Sequence, residues 1–336
     1  MYIPKRIEVE ISSYCNAKCL ACNRINFDDG DGTRETGYDL TVWKNPNIVY
    51  NLNLSTSFLE DKIFSTTWFK EARAFITIGN NGDPMANPEI ADIFEKARYH
   101  NPTVGFAVHT NGSIGAKETF KHLAKLFNSR KNTFWFAIDG LEDTNHYYRV
   151  GVDWDKVIEN AQTFINAGGK AGWRFVPFKH NIHQIEEAKK LSEQLGFNEF
   201  EVVNNILGDL YYADEVLKSF HAKNTEILDG YDNIPKSITK DESPWVTRNC
   251  NVHPQCTDNN MIFISSTKKL YPCCWFDAEW NQSVKNWWNT EESWNDLSIY
   301  TVESIMQNNK QKELINSFNK EKIIKTCQNF CGLDKK

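Results

Sequence analysis

From residue 5 to residue 205 the chain alternates short apolar segments with helix-like ones, and this alternation restricts the fold more than anything else in the sequence. The first segment sets Ile7, Val9 and Ile11 at every second position. Others begin at Phe75, Phe106 and Phe134 and run into polar turns: Asn81-Gly82-Asp83-Pro84, Thr110-Asn111-Gly112 and Asp139-Gly140. Two more cover 172–178 and 199–203. The amphipathic stretch from Ile185 to Leu195 closes at Gly196, the residue type favoured after a helix C-terminus. Such alternation implies parallel strands joined by crossover helices. Six units in roughly 200 residues are too few for a closed eight-unit barrel of about 250.

Three cysteines, Cys15, Cys19 and Cys22, follow the first strand directly. A [4Fe–4S] cube normally takes four thiolates, so a cube held by these three keeps one iron open for an outside ligand. A structural zinc site and an ordinary group of reduced thiols are the competing readings. Zinc needs a fourth Cys or His close by, and neither occurs between Cys22 and His100.

The Cys-x3-Cys-x2-Cys loop after a first strand resembles the radical S-adenosylmethionine (SAM) enzymes, and the later segments match that family in order. Asn81-Gly82-Asp83-Pro84 resembles the Gly-Gly-Glu-Pro turn that holds the SAM amino group, with Asn for the first Gly and Asp for Glu. Thr110-Asn111-Gly112 resembles the end of the family's third strand. Asp139 stands where the fourth strand meets the SAM ribose, and Arg149 where an arginine meets the SAM carboxylate. Ala137 replaces a frequent Ser, which leaves the ribose to Asp139 or another group. The resemblance implies a partial (β/α)6 barrel, a [4Fe–4S] cluster bound by three Cys, SAM, and a flavodoxin or ferredoxin-type electron donor. Active sites of such barrels lie at the C-terminal strand ends. The Cys loop, the 81–84 turn, His109 to Asn111 and Asp139 are therefore expected at one mouth.

A second, smaller domain is expected over 229–336, after a core of 1–228, with Pro235 and Pro244 as breakers. Its cysteines are Cys250, Cys256, Cys273, Cys274, Cys327 and Cys331. Their spacing around a hairpin resembles the Twitch form of the SPASM extension, which implies one auxiliary [4Fe–4S] cluster on Cys256, Cys273, Cys327 and Cys331. Cys250 is the alternate for Cys256, and Cys274 is read as a buried neighbour. A zinc ribbon competes for the same thiolates. Lys268 occupies the position of the family's hairpin glycine, so a differently built turn is expected. Trp275, Trp280, Trp287, Trp288 and Trp294 are read as core packing in preference to a substrate wall. His109, His180, His183 and His253 are read as ordinary polar residues, and the stretch from Phe27 to Ser65 as a solvated loop or a lid over substrate.

With 38 basic and 44 acidic residues, bulk charge does not favour nucleic acid as a partner. No apolar run has the length of a membrane span, and no secretory signal is visible, so a cytoplasmic, reducing location is expected. Peptide or protein modification is placed ahead of dehydrogenation of a small alcohol or amino sugar. The first strand begins almost at once, which argues against a built-in leader-peptide domain. A non-catalytic iron–sulfur scaffold is the reading from another class. The changes at Asn81, Ala137 and Lys268 favour it, and the retained cysteines with Asp83, Asp139 and Arg149 oppose it.

Overall fold

The computed structural model describes residues 3–19, 22, 24, 48–178, 180–203, 243–277, 282–289 and 293–332. The 228/229 boundary, Pro235, Trp280 and residues 27–47 of the expected loop lie outside the described residues.

Six strands form in the expected places: β1 (Arg6–Val9), β2 (Ala74–Thr77), β3 (Gly105–Thr110), β4 (Thr133–Ala137), β5 (Ala171–Phe175) and β6 (Glu199–Val202). Each pairs in parallel with the next. Beyond them come β7 (Trp245–Thr247), β8 (Met261–Ile264), β9 (Leu270–Tyr271) and β10 (Lys322–Ile324). The large sheet runs β6-β5-β4-β3-β2-β1-β8-β9, and β7 pairs with β10 apart from it. The fold is thus the expected partial barrel with an antiparallel C-terminal hairpin. That hairpin is joined to the barrel sheet: β8 lies parallel to β1, with Ile7 opposite Ile262.

The pleat gives the barrel sheet two unlike faces. Phe75, Phe106, Phe134 and Phe136 point outward and are buried under helices. In helix Ile90–His100 the buried set is Ile90, Ile93, Phe94 and Ala97, one stripe at helical spacing. Helix Trp154–Asn166 starts at Asp153, whose carboxylate accepts from the Lys156 N–H, and it buries Val157, Ala161 and Phe164. The rings interlock at centroid distances of 4.9 Å (Phe94–Phe106), 5.1 Å (Phe94–Phe127) and 4.4 Å (Phe134–Phe164). Each fully buried Phe contributes about 1.5–3 kcal/mol. This aromatic layer fixes the strands, and so it fixes where their C-terminal ends meet.

One expectation is corrected. The end of the presumed 27–65 loop is packed structure: Ser55 caps a helix at Thr56–Leu59 that continues through Glu60–Phe64, and Leu59, Ile63 and Phe64 are fully buried. The hairpin turn is closed without a glycine. Lys268 adopts φ +65°, the left-handed conformation that glycine takes freely, and its N–H donates to the Ser265 carbonyl at 2.9 Å.

Candidate functional site

The Cys15 loop, the 81–84 turn and the end of β3 are tied into one body by hydrogen bonds. Asp83 donates its N–H to the Tyr14 carbonyl at 2.7 Å. Its buried carboxylate accepts from Met85 N–H (2.9 Å), Thr110 Oγ1 (2.8 Å) and Asn111 N–H (2.7 Å), so it serves as a strut between two strand ends. Pro84 opens the short helix Pro84–Ala86 that Asp83 caps. Asn111 Nδ2 reaches Cys15 Sγ at 3.4 Å and Asn16 Oδ1 at 3.0 Å. Gly82 is required by close approach: a Cβ there would lie 2.0 Å from the Ser12 carbonyl oxygen and 2.7 Å from Ser13 Cα. Both neighbours are backbone and cannot swing aside. Gly82→Ala is therefore expected to destabilise the protein by roughly 3 kcal/mol in denaturant unfolding.

At the other side of the mouth, Arg149 Nε donates to Asp139 Oδ2 at 2.6 Å and Nη1 reaches Cys19 Sγ at 3.6 Å. Asp139 is fully buried, and its second oxygen accepts from Val176 N–H at 2.7 Å. Burial works against the Arg149 charge, but Asp139 and Cys19 beside it more than offset this and hold it protonated. All the residues expected to contact SAM, namely Asn81, Gly82, Asp83, Pro84, Asn111, Asp139 and Arg149, stand around the Cys15, Cys19 and Cys22 loop. Asp139 and Asp83 spend their carboxylates on protein groups.

Burial pushes the Cys15 and Cys19 thiols up, and that of Cys22 up to about 11, and neighbouring thiols add to the shift at Cys15 and Cys22. Cys19 is buried and Cys15 and Cys22 are half-buried, and thiols so placed become thiolates once a cationic centre lies among them. Among the described residues no three His, Cys, Asp or Glu side chains are grouped to hold a single metal ion. A four-iron cube takes each thiolate at a separate iron, so its ligands stand further apart than those of one ion. Asn81 Oδ1 is buried with no hydrogen-bond partner among the described residues, an acceptor that an ammonium group would satisfy. Three cysteines on one loop fit a cluster that keeps one iron open, and the Asn81 acceptor fits SAM.

The second thiol group joins distant parts of the chain. Cys273 precedes the turn Cys274–Phe276, Cys256 lies on helix Gln255–Asp258, and Cys327 and Cys331 lie one helical turn apart on Lys325–Cys331. Burial raises the Cys273 thiol well above its ordinary value, and Cys274, Cys256, Cys327 and Cys331 raise it further. Cys256 is pushed up to about 12 by burial, then by Cys331. Cys250 also borders the Lys325–Cys331 helix: its sulfur lies 4.0 Å from the Gln328 carbonyl, and a Cβ on Gly332, next to Cys331, would come 2.6 Å from it. Cys274 is raised by burial, then by Glu8 of β1, and so borders the barrel interior. Trp288 and Trp294 are buried, and their indole N–H groups donate to the carbonyls of Leu270 (3.0 Å) and Trp288 (2.7 Å). They are core, as read from the sequence.

Sequence reasoning missed the inner face of the barrel. Arg174 Nη1 meets His109 Nδ1 at 3.0 Å, its Nε donates to Glu201 at 2.9 Å, and its guanidinium lies 5.0 Å from the Trp135 ring centre. Burial, then the Arg174 charge, drives His109 down to about 3, so it stays neutral. Glu8 and Glu10 are also buried. The only sequence signal was a charged residue at each inward position of the first strand. A cavity of about 680 Å³ is lined by Ala74, Ile76, Gly105, Ala107, Thr133 and Trp135. It opens at the N-terminal strand ends, away from the cysteines, and is the floor of the barrel and not its mouth.

Comparison with known protein families finds no match, and neither does comparison with curated proteins. Solved structures do match. SuiB of Streptococcus suis bound to S-adenosylmethionine is 16% identical with a TM-score of 0.52, over 82% of this chain and 61% of SuiB. A complex of SuiB with its precursor peptide SuiA is 17% identical with a TM-score of 0.52, over 83% of this chain and 61% of that chain. The protein anSMEcpe with bound S-adenosylmethionine is 16% identical with a TM-score of 0.56, over 94% of this chain and 81% of that one. The chain thus spans about 61% of the length of SuiB. At these identities the likeness is one of fold. Among the described residues no helix is long and apolar enough to cross a membrane.

Proposed function

We propose that this chain is a radical SAM enzyme that carries a [4Fe–4S] cluster on Cys15, Cys19 and Cys22 and modifies a peptide or protein. The observation that carries this reading is the meeting of those thiols with Arg149 and Asn111 at the strand ends, beside the 81–84 turn and Asp139. When bound, a cluster with one open iron supplies the electron that splits SAM into methionine and a 5′-deoxyadenosyl radical able to take hydrogen from a substrate. The chain itself binds and orients. Arg149 offsets thiolate charge at Cys19, and Asp83 fixes the turn whose Asn81 Oδ1 is the acceptor for the SAM amino group. A flavodoxin or ferredoxin-type protein is the electron donor in this reading. The peptide class is supported by the folds it shares with SuiB bound to precursor peptide SuiA and anSMEcpe bound to Cp18Cys peptide.

The test is anaerobic. Protein reconstituted with iron and sulfide is mixed with SAM and dithionite, and 5′-deoxyadenosine is quantified. Its appearance supports the reading, and its absence from a protein that holds iron overturns the catalytic part in favour of a scaffold.

The second thiol group, Cys256, Cys273, Cys327 and Cys331, is assigned in the same proposal to one auxiliary [4Fe–4S] cluster. Cys327→Ala is then expected to lower bound iron from about eight to about four per chain. Unchanged iron in a ferrozine assay would refute the assignment, and zinc in elemental analysis would replace it with a ribbon.

A further inference from the structure

The residue after β1, Glu10, is 1% exposed and holds two distant turns together. Its Oε1 accepts from the Asn81 N–H at 2.5 Å. Its Oε2 accepts from the Ser266 N–H at 3.2 Å and from Ser266 Oγ at 2.7 Å. Ser266 belongs to the turn that links β8 to β9, and β9 leads directly into Cys273. A second tether runs beside the first: Asn80 Nδ2 donates to the Cys274 carbonyl at 2.9 Å. The 80–83 turn is thus fastened on one side to the hairpin and on the other, through Asp83 N–H and the Tyr14 carbonyl, to the Cys15 loop.

A buried carboxylate that accepts three hydrogen bonds loses its place if either turn moves. Such a group costs free energy when either partner is withdrawn, because its oxygens are then buried without donors. The carboxyl also faces Asp277, itself 3.4 Å from Lys285 Nζ, so the junction is a polar network enclosed by the two halves. Neither mouth nor hairpin can shift without straining the other.

We infer that Glu10 is a positioning residue for the Asn81 turn, and that Glu10 and Asn80 make SAM binding and the filling of the second thiol group mutually reinforcing. This rests on the assignment of SAM to that turn proposed above. Coupling between two sites is reciprocal and spans about 5- to 150-fold in typical proteins. Of the two residues, Glu10 carries the stronger link because it grips both backbones at once.

The experiment has two arms, both on the full chain reconstituted with iron and sulfide. The first uses no SAM. Amide hydrogen exchange over 79–85 is compared in the wild type, Glu10→Gln and the milder Asn80→Ala, with melting temperature as the folding control. Gln cannot accept at both turns, so exchange at the Asn81 amide is expected to quicken about tenfold. Unchanged exchange in both variants overturns the clamp.

The second arm measures the SAM dissociation constant by equilibrium dialysis, with and without Cys327→Ala. In the wild-type background Cys327→Ala is expected to weaken SAM about fivefold. In a Glu10→Gln, Asn80→Ala background the same change is expected to cost less than about twofold, because both tethers are then cut. Equal losses in the two backgrounds overturn the linkage. A wild-type protein that holds iron, shows the exchange pattern and fails to bind SAM overturns the SAM assignment and the linkage with it. The clamp by Glu10 would stand on the exchange result.

Discussion

Alanine at Cys15, Cys19 and Cys22 together brings 5′-deoxyadenosine formation down to the background of a protein-free reaction. The expectation follows from the geometry of the mouth. Cys15 receives Asn111 Nδ2 at 3.4 Å and Cys19 receives Arg149 at 3.6 Å, so the loop presents its sulfurs to protein donors that stabilise negative charge. No other group among the described residues takes over that place. The same variant is expected to keep about half its iron, on the second thiol group. Product retained by the triple variant would mean that SAM is cleaved elsewhere or not by this chain, and the proposed function would fall. Cys274→Ala, whose thiol borders Glu8, serves as a cysteine control and is expected to keep its iron.

The largest stability change is expected from Arg149→Met. Asp139 has no exposed surface, and the 2.6 Å bond to Arg149 Nε is its one ionic contact among the described residues. Removing the guanidinium leaves a buried carboxylate with only the Val176 N–H for one of its oxygens. Breaking such a pair costs about 3–5 kcal/mol, which in a chain of this size lowers the melting temperature by roughly 4–7 °C. Adding Asp139→Asn should restore much of the loss, since the uncompensated charge goes with it. A drop of only a degree or two in the single variant, or no recovery in the double, would show that the pair is not what holds this side of the mouth.

How much of this was legible in the sequence depends on the distance over which each contact acts. The strands at Ile7, Phe75, Phe106 and Phe134 could be read because pleat and turn chemistry are local. The residues ending them met at one mouth because parallel strands bring their C-terminal ends to one side. The helix at Thr56–Leu59 could not be read, since so few turns leave no periodic stripe. Neither could the conformation of Lys268, which packs its ammonium 4.9 Å from the Phe58 ring centre, a contact across the fold. Spacing left Cys250 and Cys256 interchangeable. In the structure both stand near the helix of Cys327 and Cys331: Cys256 is raised by Cys331, and Cys250 lies against Gln328 and Gly332. Glu10 was hidden for the same reason, because its partners lie 71 and 256 residues away.

The place of β1 between β2 and β8 has a consequence for how the chain is made. Of the described strands β1 leaves the ribosome before the others, yet one of its neighbours lies some 255 residues further along the chain. At about 5–20 residues per second, a separation of this length means roughly 10–50 s of translation with one edge of Ile7 and Val9 lacking its partner strand. Nascent chains with an open apolar edge are prone to pair with one another. The barrel is therefore finished from its C-terminal side, and the cysteine loop that β1 carries reaches its final setting only when the hairpin arrives.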